Sequence, residues 1–231
     1  KKSSQQEISL ANLRKQITES LKVTLAEGQS ILKEKFLNDN KGLFCSVAHS
    51  HLMDQIISIL YDKIKNYLKT KDPLCLLAVG GFGRGELAPY SDIDLLFLTG
   101  SRNRRTCEKF IHFILYTLWD LGLSVGHSTR NIADVINDSK RDIILCTSVL
   151  ENRYLAGDKK LFNDLNSKLK LLQKRTVSEF INLKLKEQDN RHYKMGDSRY
   201  ILEPNIKESK GCLRDLNTLF WISKYHYRFN K

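Results

Sequence analysis

The sequence contains no uninterrupted run of about 18 apolar residues, the length that suggests a bilayer span, and no basic-then-apolar segment at its start. Membrane insertion and secretion are therefore not expected, and a cytoplasmic location is. Cysteine is scattered: Cys45, Cys75, Cys107, Cys146 and Cys212 are odd in number and form no C-x-x-C pair. This excludes a disulfide framework and the usual zinc spacings, and leaves the cysteines as small buried apolar residues. Internal repeats and low-complexity linkers are also absent. The chain does not begin with Met, its first Met is Met53, and no terminal signal closes it, as expected of a piece of something longer.

What is present suits a packed protein. At 231 residues and 41% hydrophobic, the chain can bury a sizeable core as one large domain or two modest ones. The formal net charge is +12, but Lys and Arg are spread along the chain, which suits solvated helix faces as well as a nucleic-acid surface. Nucleic acid is not the expected partner.

The apolar residues of 5–36 recur three or four apart, which predicts a helix, and a second is expected over about 43–68. The pattern then changes. Leu74, Leu76, Leu77, Ala78 and Val79 read as a short buried strand ending in a tight turn at Gly80-Gly81, and Asp92–Leu98 reads as a second buried strand. A helical stripe from Cys107 to Leu121 stops at Gly122, and 123–130 offers a third strand. Between Ile132 and about Arg191 mainly helices are expected, broken at Gly157-Asp158, with a last helix over Leu213–Tyr227. The expected class is α+β: a small mixed sheet backed by helices, with N-terminal helices and a C-terminal helical extension. The expected divisions are 1–72, 73–150 and 151–231.

Side chains alternate along a strand, so Asp92 and Asp94 point the same way, about 6 to 7 Å apart. Two ionised carboxylates so placed repel each other, and a proton or a divalent cation relieves them. Magnesium prefers a few carboxylates plus water and substrate phosphates. The competing reading is a solvated strand end capped by local hydrogen bonds. The glycine pair twelve positions earlier favours the metal, because backbone N–H groups there can approach a triphosphate closely. Two other nucleotide motifs fail: Glu86 stands where G-x-G-x-x-G needs its last glycine, and no G-K-[ST] follows.

A hydrophobic strand, Gly-Gly, about ten residues and Asp-h-Asp-h resembles the DNA polymerase β nucleotidyltransferase superfamily. Residues 78–98, from Ala-Val-Gly-Gly-Phe-Gly-Arg-Gly-Glu-Leu to Asp-Ile-Asp-Leu-Leu-Phe-Leu, resemble more closely the bacterial PII uridylyltransferase/uridylyl-removing enzymes. So do 118–123 with Gly126-His127-Ser128, Leu155–Asp158, and Leu202–Lys207 with Gly211–Asp215, although Gly211-Cys212 stands where that family has Gly-Gly. The resemblance implies transfer of UMP from UTP to a tyrosine of the PII nitrogen-signalling protein, with Mg²⁺ or Mn²⁺. It implies that Asp92 and Asp94 hold the metal, Gly80 and Gly81 present backbone to phosphate, and Ser91 offers a hydroxyl. Lys207 and Arg214 would add charge, unless Arg214 and Asp215 merely cap the last helix. Arg84 either neutralises phosphate or pairs with Glu86. A third carboxylate is not evident; Asp134, Asp142 and Glu151 are candidates by proximity. His127 and His192 read as packing or surface residues. The family's metal-dependent HD hydrolase and glutamine-sensing ACT domains would lie outside this chain, which has no His-Asp dipeptide. The alternatives are a stand-alone nucleotidyltransferase with another acceptor or base, and a non-catalytic nucleotide-binding module.

Overall fold

A computed structural model describes residues 2–69, 72–100, 104–196, 203 and 205–228. Leu202 and Pro204, within one of the resembling blocks, lie outside them. Chain contacts group residues 1–132 with 151–163, and residues 133–150 with 164–231. These two interleaved units divide the chain along other lines than the three stretches expected from sequence.

In the first unit, α1 (Lys2–Asp39) and α2 (Gly42–Leu68) form a hairpin ahead of β1 (Leu74–Ala78). A four-residue helical turn, α3 (Gly80–Gly83), stands where a tight turn was expected, and β2 (Ile93–Thr99) follows. Then come α4 (Arg104–Asp120), which gives way at Gly122 with φ +80°, and β3 (Val125–Arg130). The chain enters α5 (Ile132–Ser139) and α6 (Ile143–Leu150) before returning with β4 (Arg153–Gly157).

The sheet order is β3-β2-β1-β4, with β1 antiparallel to both its neighbours and β2 parallel to β3. Both central strands are almost wholly buried, which is why they read as continuous apolar runs rather than alternating ones. On one sheet face Leu74, Leu76, Ala78, Ile93, Leu95 and Phe97 join α2 and α4 in a common core. Met53, Ile57, Leu60 and Ile64 of α2 are completely buried there. α2 is also long and apolar enough to cross a membrane by length and composition alone, and part of its apolar content lies in this core.

β4 adds a strand to a stretch expected to be mainly helical with a break at Gly157-Asp158. Its five residues show no alternation in burial, and their pairing with β1 carries an irregularity between Leu76 and Leu77. A strand defined by a partner nearly eighty residues earlier leaves little local signal.

The second unit is helical among its described residues. α7 (Lys159–Arg175), whose first turns belong to the first unit, is followed by α8 (Val177–Lys194) and α9 (Leu213–Tyr227). Cys146, Leu150, Phe180, Trp221 and Tyr225 form its core, with the Phe180 and Tyr225 rings stacked 3.8 Å apart. The Tyr225 hydroxyl meets Thr176 Oγ1 at 2.7 Å.

Gly157 has no room for a side chain and takes a left-handed backbone. Its φ is +102°, and a Cβ would stand 2.2 Å from the Leu74 carbonyl oxygen and 2.7 Å from the Tyr61 hydroxyl. Gly157→Ala should destabilise by at least about 2 kcal/mol, a fall of roughly 4–8 °C in melting temperature. Gly42→Ala, which meets nothing within 4 Å, should stay within about 0.5 kcal/mol of the parent. Parallel thermal melts of the two variants check the contrast.

Candidate active site

The sequence-predicted glycines and acidic pair come together at one end of the sheet. β1 runs out at Ala78, opposite Leu95, so the turn after it lies beside the start of β2. The Val79 N–H donates to the Asp94 carbonyl at 3.0 Å, tying the glycine turn to the backbone of an acidic residue. Asp92 precedes β2 and is exposed, whereas Asp94 lies within it and is half-buried. Because β3 is parallel to β2, Gly126 stands opposite Asp94. A Cβ at Gly126 would lie 2.6 Å from Asp94 Oδ1. The missing side chain makes the space that the carboxylate occupies, a role that the Gly-His-Ser match did not reveal.

His127 pairs with Leu95, one register position on, and therefore takes the opposite face from Asp94. There, although exposed, it lies edge-on to Trp119 of α4 at 6.1 Å.

Gly80 has φ +57° and opens α3. The first N–H groups of a helix have no acceptor within it, so this turn offers donors suited to an anion. A Cβ at Gly81 would meet only Arg84 Nη2, at 3.6 Å. Arg84 donates from Nη1 to Glu151 Oε2 at 2.7 Å, and the Glu151 side chain is only 1% exposed. Glu151 is thus the buried partner of Arg84, which keeps that guanidinium beside Gly81. Its second oxygen is buried with no hydrogen-bond partner among the described residues. Removing Arg84 would leave a buried carboxylate uncompensated, a loss of about 3–5 kcal/mol.

The other candidate third carboxylates, Asp134 and Asp142, belong to the second unit. Asp142 Oδ1 accepts the Ile144 and Leu145 N–H groups at 2.8 and 3.2 Å at the start of α6, and Asp134 sits in the first turn of α5. Among the described residues no three His, Cys, Asp or Glu side chains gather as a metal cluster. Asp92 and Asp94 nevertheless suit a hard divalent cation. Two carboxylates, with water and phosphate completing the shell, match the way magnesium is commonly bound, and the Gly126 gap leaves Asp94 its room.

The loop carrying Ser91, exposed and with its N–H on the Ala88 carbonyl at 3.1 Å, is docked on α2. Leu87 donates its N–H to the Ser46 carbonyl at 3.0 Å. The buried His49 ring meets the Leu87 carbonyl through Nδ1 at 3.2 Å. Burial lowers the His49 pKa, against the carbonyl bond that raises it, so near neutral pH the uncharged ring donates Nδ1–H to Leu87.

Lys207 and Arg214 belong to the second unit. The Arg214 N–H donates to the Lys207 carbonyl at 2.9 Å, which brings the two residues together. Lys207 is exposed. Arg214 donates to Glu208 at 3.0 Å and lies over the Trp221 ring, 5.9 Å from its centre. The family's second glycine is not needed by this turn: Gly211 takes φ +80°, whereas Cys212 is extended, with φ −92° and ψ −168°.

Asp215 does more than charge a helix start. It accepts from the Gly211 N–H at 2.7 Å, from Arg191, and from the buried His192 at 3.0 Å, tying α9 to α8. Burial alone would raise its pKa. Hydrogen bonds from Gln188, Gly211 and His192 outweigh burial and hold the carboxyl at about 2.

Gly126→Ala should push the Asp94 carboxylate aside, with a small effect on folding because the atom met is the end of a side chain. The melting temperature should move by no more than about 3 °C, while metal-dependent triphosphate binding, followed by titration calorimetry, should weaken at least about tenfold. Asp215 gives a pH prediction. Its folded pKa lies below its ordinary 3.8, so its stabilisation is present above about pH 4 and lost as pH falls towards 2. Melts from pH 6 down to 2 should show the gap between the parent and Asp215→Asn narrowing over that acid window.

Comparison with known proteins agrees with the motif reading. The nucleotidyltransferase domain family matches residues 61–150, and the GlnD PII-uridylyltransferase family matches residues 179–231. The bifunctional uridylyltransferase/uridylyl-removing enzyme of Rhodospirillum rubrum is 44% identical over 90% of this chain, which covers 23% of that protein. Its Azospirillum brasilense counterpart is 43% identical over 94% of this chain and 24% of its own length. A solved toxin-antitoxin structure with AMP-PNP aligns at 15% identity and a TM-score of 0.30, over 61% of this chain and 96% of that one. The chain spans about a quarter of the length of the curated relatives it matches. Over that quarter the chain is similar to the bifunctional uridylyltransferase/uridylyl-removing enzymes, and its residues 61–150 match the nucleotidyltransferase domain family.

Proposed function

We propose that this chain transfers UMP from UTP to a tyrosine of a PII signalling protein and releases pyrophosphate. The observation that carries the transferase reading is the bond from Val79 N–H to the Asp94 carbonyl, which sets phosphate-directed backbone and paired carboxylates at one end of one sheet. The choice of UMP and PII is supported by similarity to proteins whose names carry that activity.

In this reading, N–H groups at the start of α3 bind phosphate oxygens, and the glycines keep side chains out of their way. Arg84, oriented by Glu151, adds positive charge beside Gly81. Ser91 offers a hydroxyl, and Lys207 and Arg214 are the further cations proposed for phosphate. The tyrosine oxygen forms a bond to the α-phosphorus as the bond to the β-phosphate oxygen breaks, and the hydroxyl proton is released. Asp92 and Asp94 are the residues that would hold a divalent ion, Mg²⁺ or Mn²⁺, which stabilises developing charge on phosphoryl oxygens. All five cysteines are free thiols, which suits the reducing cytoplasm.

The test is incubation with Mg²⁺, a purified PII protein and α-labelled UTP, with labelled ATP in parallel. Label should pass to PII from UTP and much less from ATP. In Asp92→Asn and Asp94→Asn turnover should fall about a thousandfold, the equivalent of several kcal/mol of transition-state stabilisation. The metal-free variants should melt no lower than the parent, because like-charge repulsion is relieved. Mg²⁺ with UTP should stabilise the parent far more than either variant. Turnover retained in either variant would falsify the acidic-pair assignment, and binding of UTP without transfer to any acceptor would favour the non-catalytic module.

A further inference from the structure

The glycine turn cannot hold its own shape. α3 has four residues, three of them glycine, and it closes with a few short bonds, from Gly83 N–H to the Val79 carbonyl at 3.0 Å, Arg84 N–H to the Gly81 carbonyl at 3.2 Å and Gly85 N–H to the Phe82 carbonyl at 3.1 Å. So short a helix is unstable in isolation, and glycine is the residue that loses most conformational freedom on ordering. Its geometry has to be imposed by something outside it.

That something is at the start of β4. Arg153, opposite Ala78 in the sheet, donates from Nη2 to the Phe82 carbonyl at 3.0 Å and from Nε to the Gly83 carbonyl at 3.3 Å. Its guanidinium lies over the Phe82 ring, 5.3 Å from the centre. The same group is held from α2 by both oxygens of Asp54, at 2.6 and 3.0 Å, and by Ser50 Oγ at 3.4 Å. One planar fork thus grips the carbonyl end of α3 and the side of α2 together. Gly83 is also backed by the main chain two residues before Arg153: a Cβ there would stand 1.9 Å from the Glu151 carbonyl oxygen.

We propose that Arg153, fixed by Asp54, is a positioning residue for nucleotide binding: by gripping the last carbonyls of α3, it keeps the N–H groups at the other end aimed at the triphosphate. The assignment rests on the phosphate-binding reading of that turn. Asp54 neutralises the guanidinium, so Arg153 acts through the turn and not as a phosphate ligand. Lysine cannot replace it, since a single ammonium does not reproduce the planar fork that spans two carbonyls and a carboxylate.

The experiment compares the parent with Arg153→Lys and, as a milder second variant, Asp54→Asn. In the nucleotide-free protein, amide exchange at Gly83 should accelerate at least about tenfold in Arg153→Lys, reporting local opening, while Leu76 and Phe97 in the sheet centre keep their parent rates. The dissociation constant for UTP should rise at least about tenfold, with that for uridine within about twofold, since only phosphate contacts pass through α3. Asp54→Asn should shift both readouts in the same direction. Parent-like Gly83 exchange in both variants overturns the proposal. So does a loss of UTP and uridine affinity in step with a lowered melting temperature, which marks a merely structural role. A parent that binds UTP no better than uridine overturns the phosphate reading instead, and Gly83 exchange still decides whether Arg153 holds the turn.

Discussion

The proposed site depends on a mismatch between what a phosphate needs and what a backbone can sustain. Phosphate needs bare N–H groups at close range, which favours glycine, and glycine is the residue least able to keep a defined conformation. This protein resolves the conflict by fastening the turn on several sides. Val79 is bonded to Asp94, Phe82 is completely buried in the core, Arg84 is drawn to a buried carboxylate, and Arg153 grips the terminal carbonyls. The acidic pair inherits the same stiffness, because one of its members supplies a carbonyl to the fastening.

How much of this was legible in the sequence depends on the range of the interactions. The apolar runs of β1 and β2, the stripe of α4 and the glycine that ends it are local patterns, and they appear where periodicity and composition put them. The glycine pair and the two aspartates form a motif of fixed spacing, so their meeting at one sheet end was also readable. β4, Glu151 and Arg153 were not. Glu151 was weighed as a third carboxylate because it lies near in sequence, but its charge is committed to an arginine 67 residues away. Arg153 carries no signature at all: an arginine after Glu-Asn reads as a surface residue until β1 is known to be its neighbour.

The second unit shows the same division. Lys207 and Arg214 are joined by a backbone bond across the loop that begins α9, which their membership of one resembling block foreshadowed. The grip of Arg191 and His192 on Asp215 was hidden, because the alternative reading of Asp215 as a simple helix-end charge is satisfied by sequence position alone. Cys212 is the clearer lesson. A departure from a family's glycine matters only if the backbone there is left-handed, and here the left-handed position is the preceding residue, Gly211.

The interleaving of the two units has a consequence for synthesis. The chain leaves the first unit after Ile132 and rejoins it at Glu151, so the strand that fastens α3 is separated from it by an excursion into the second. Arg153 follows Gly83 by 70 residues. At roughly 5–20 residues per second, a ribosome makes the glycine turn some 4 to 14 seconds before the arginine that grips it. During that interval the nascent glycine loop is without this clasp, until the sheet has acquired its last edge.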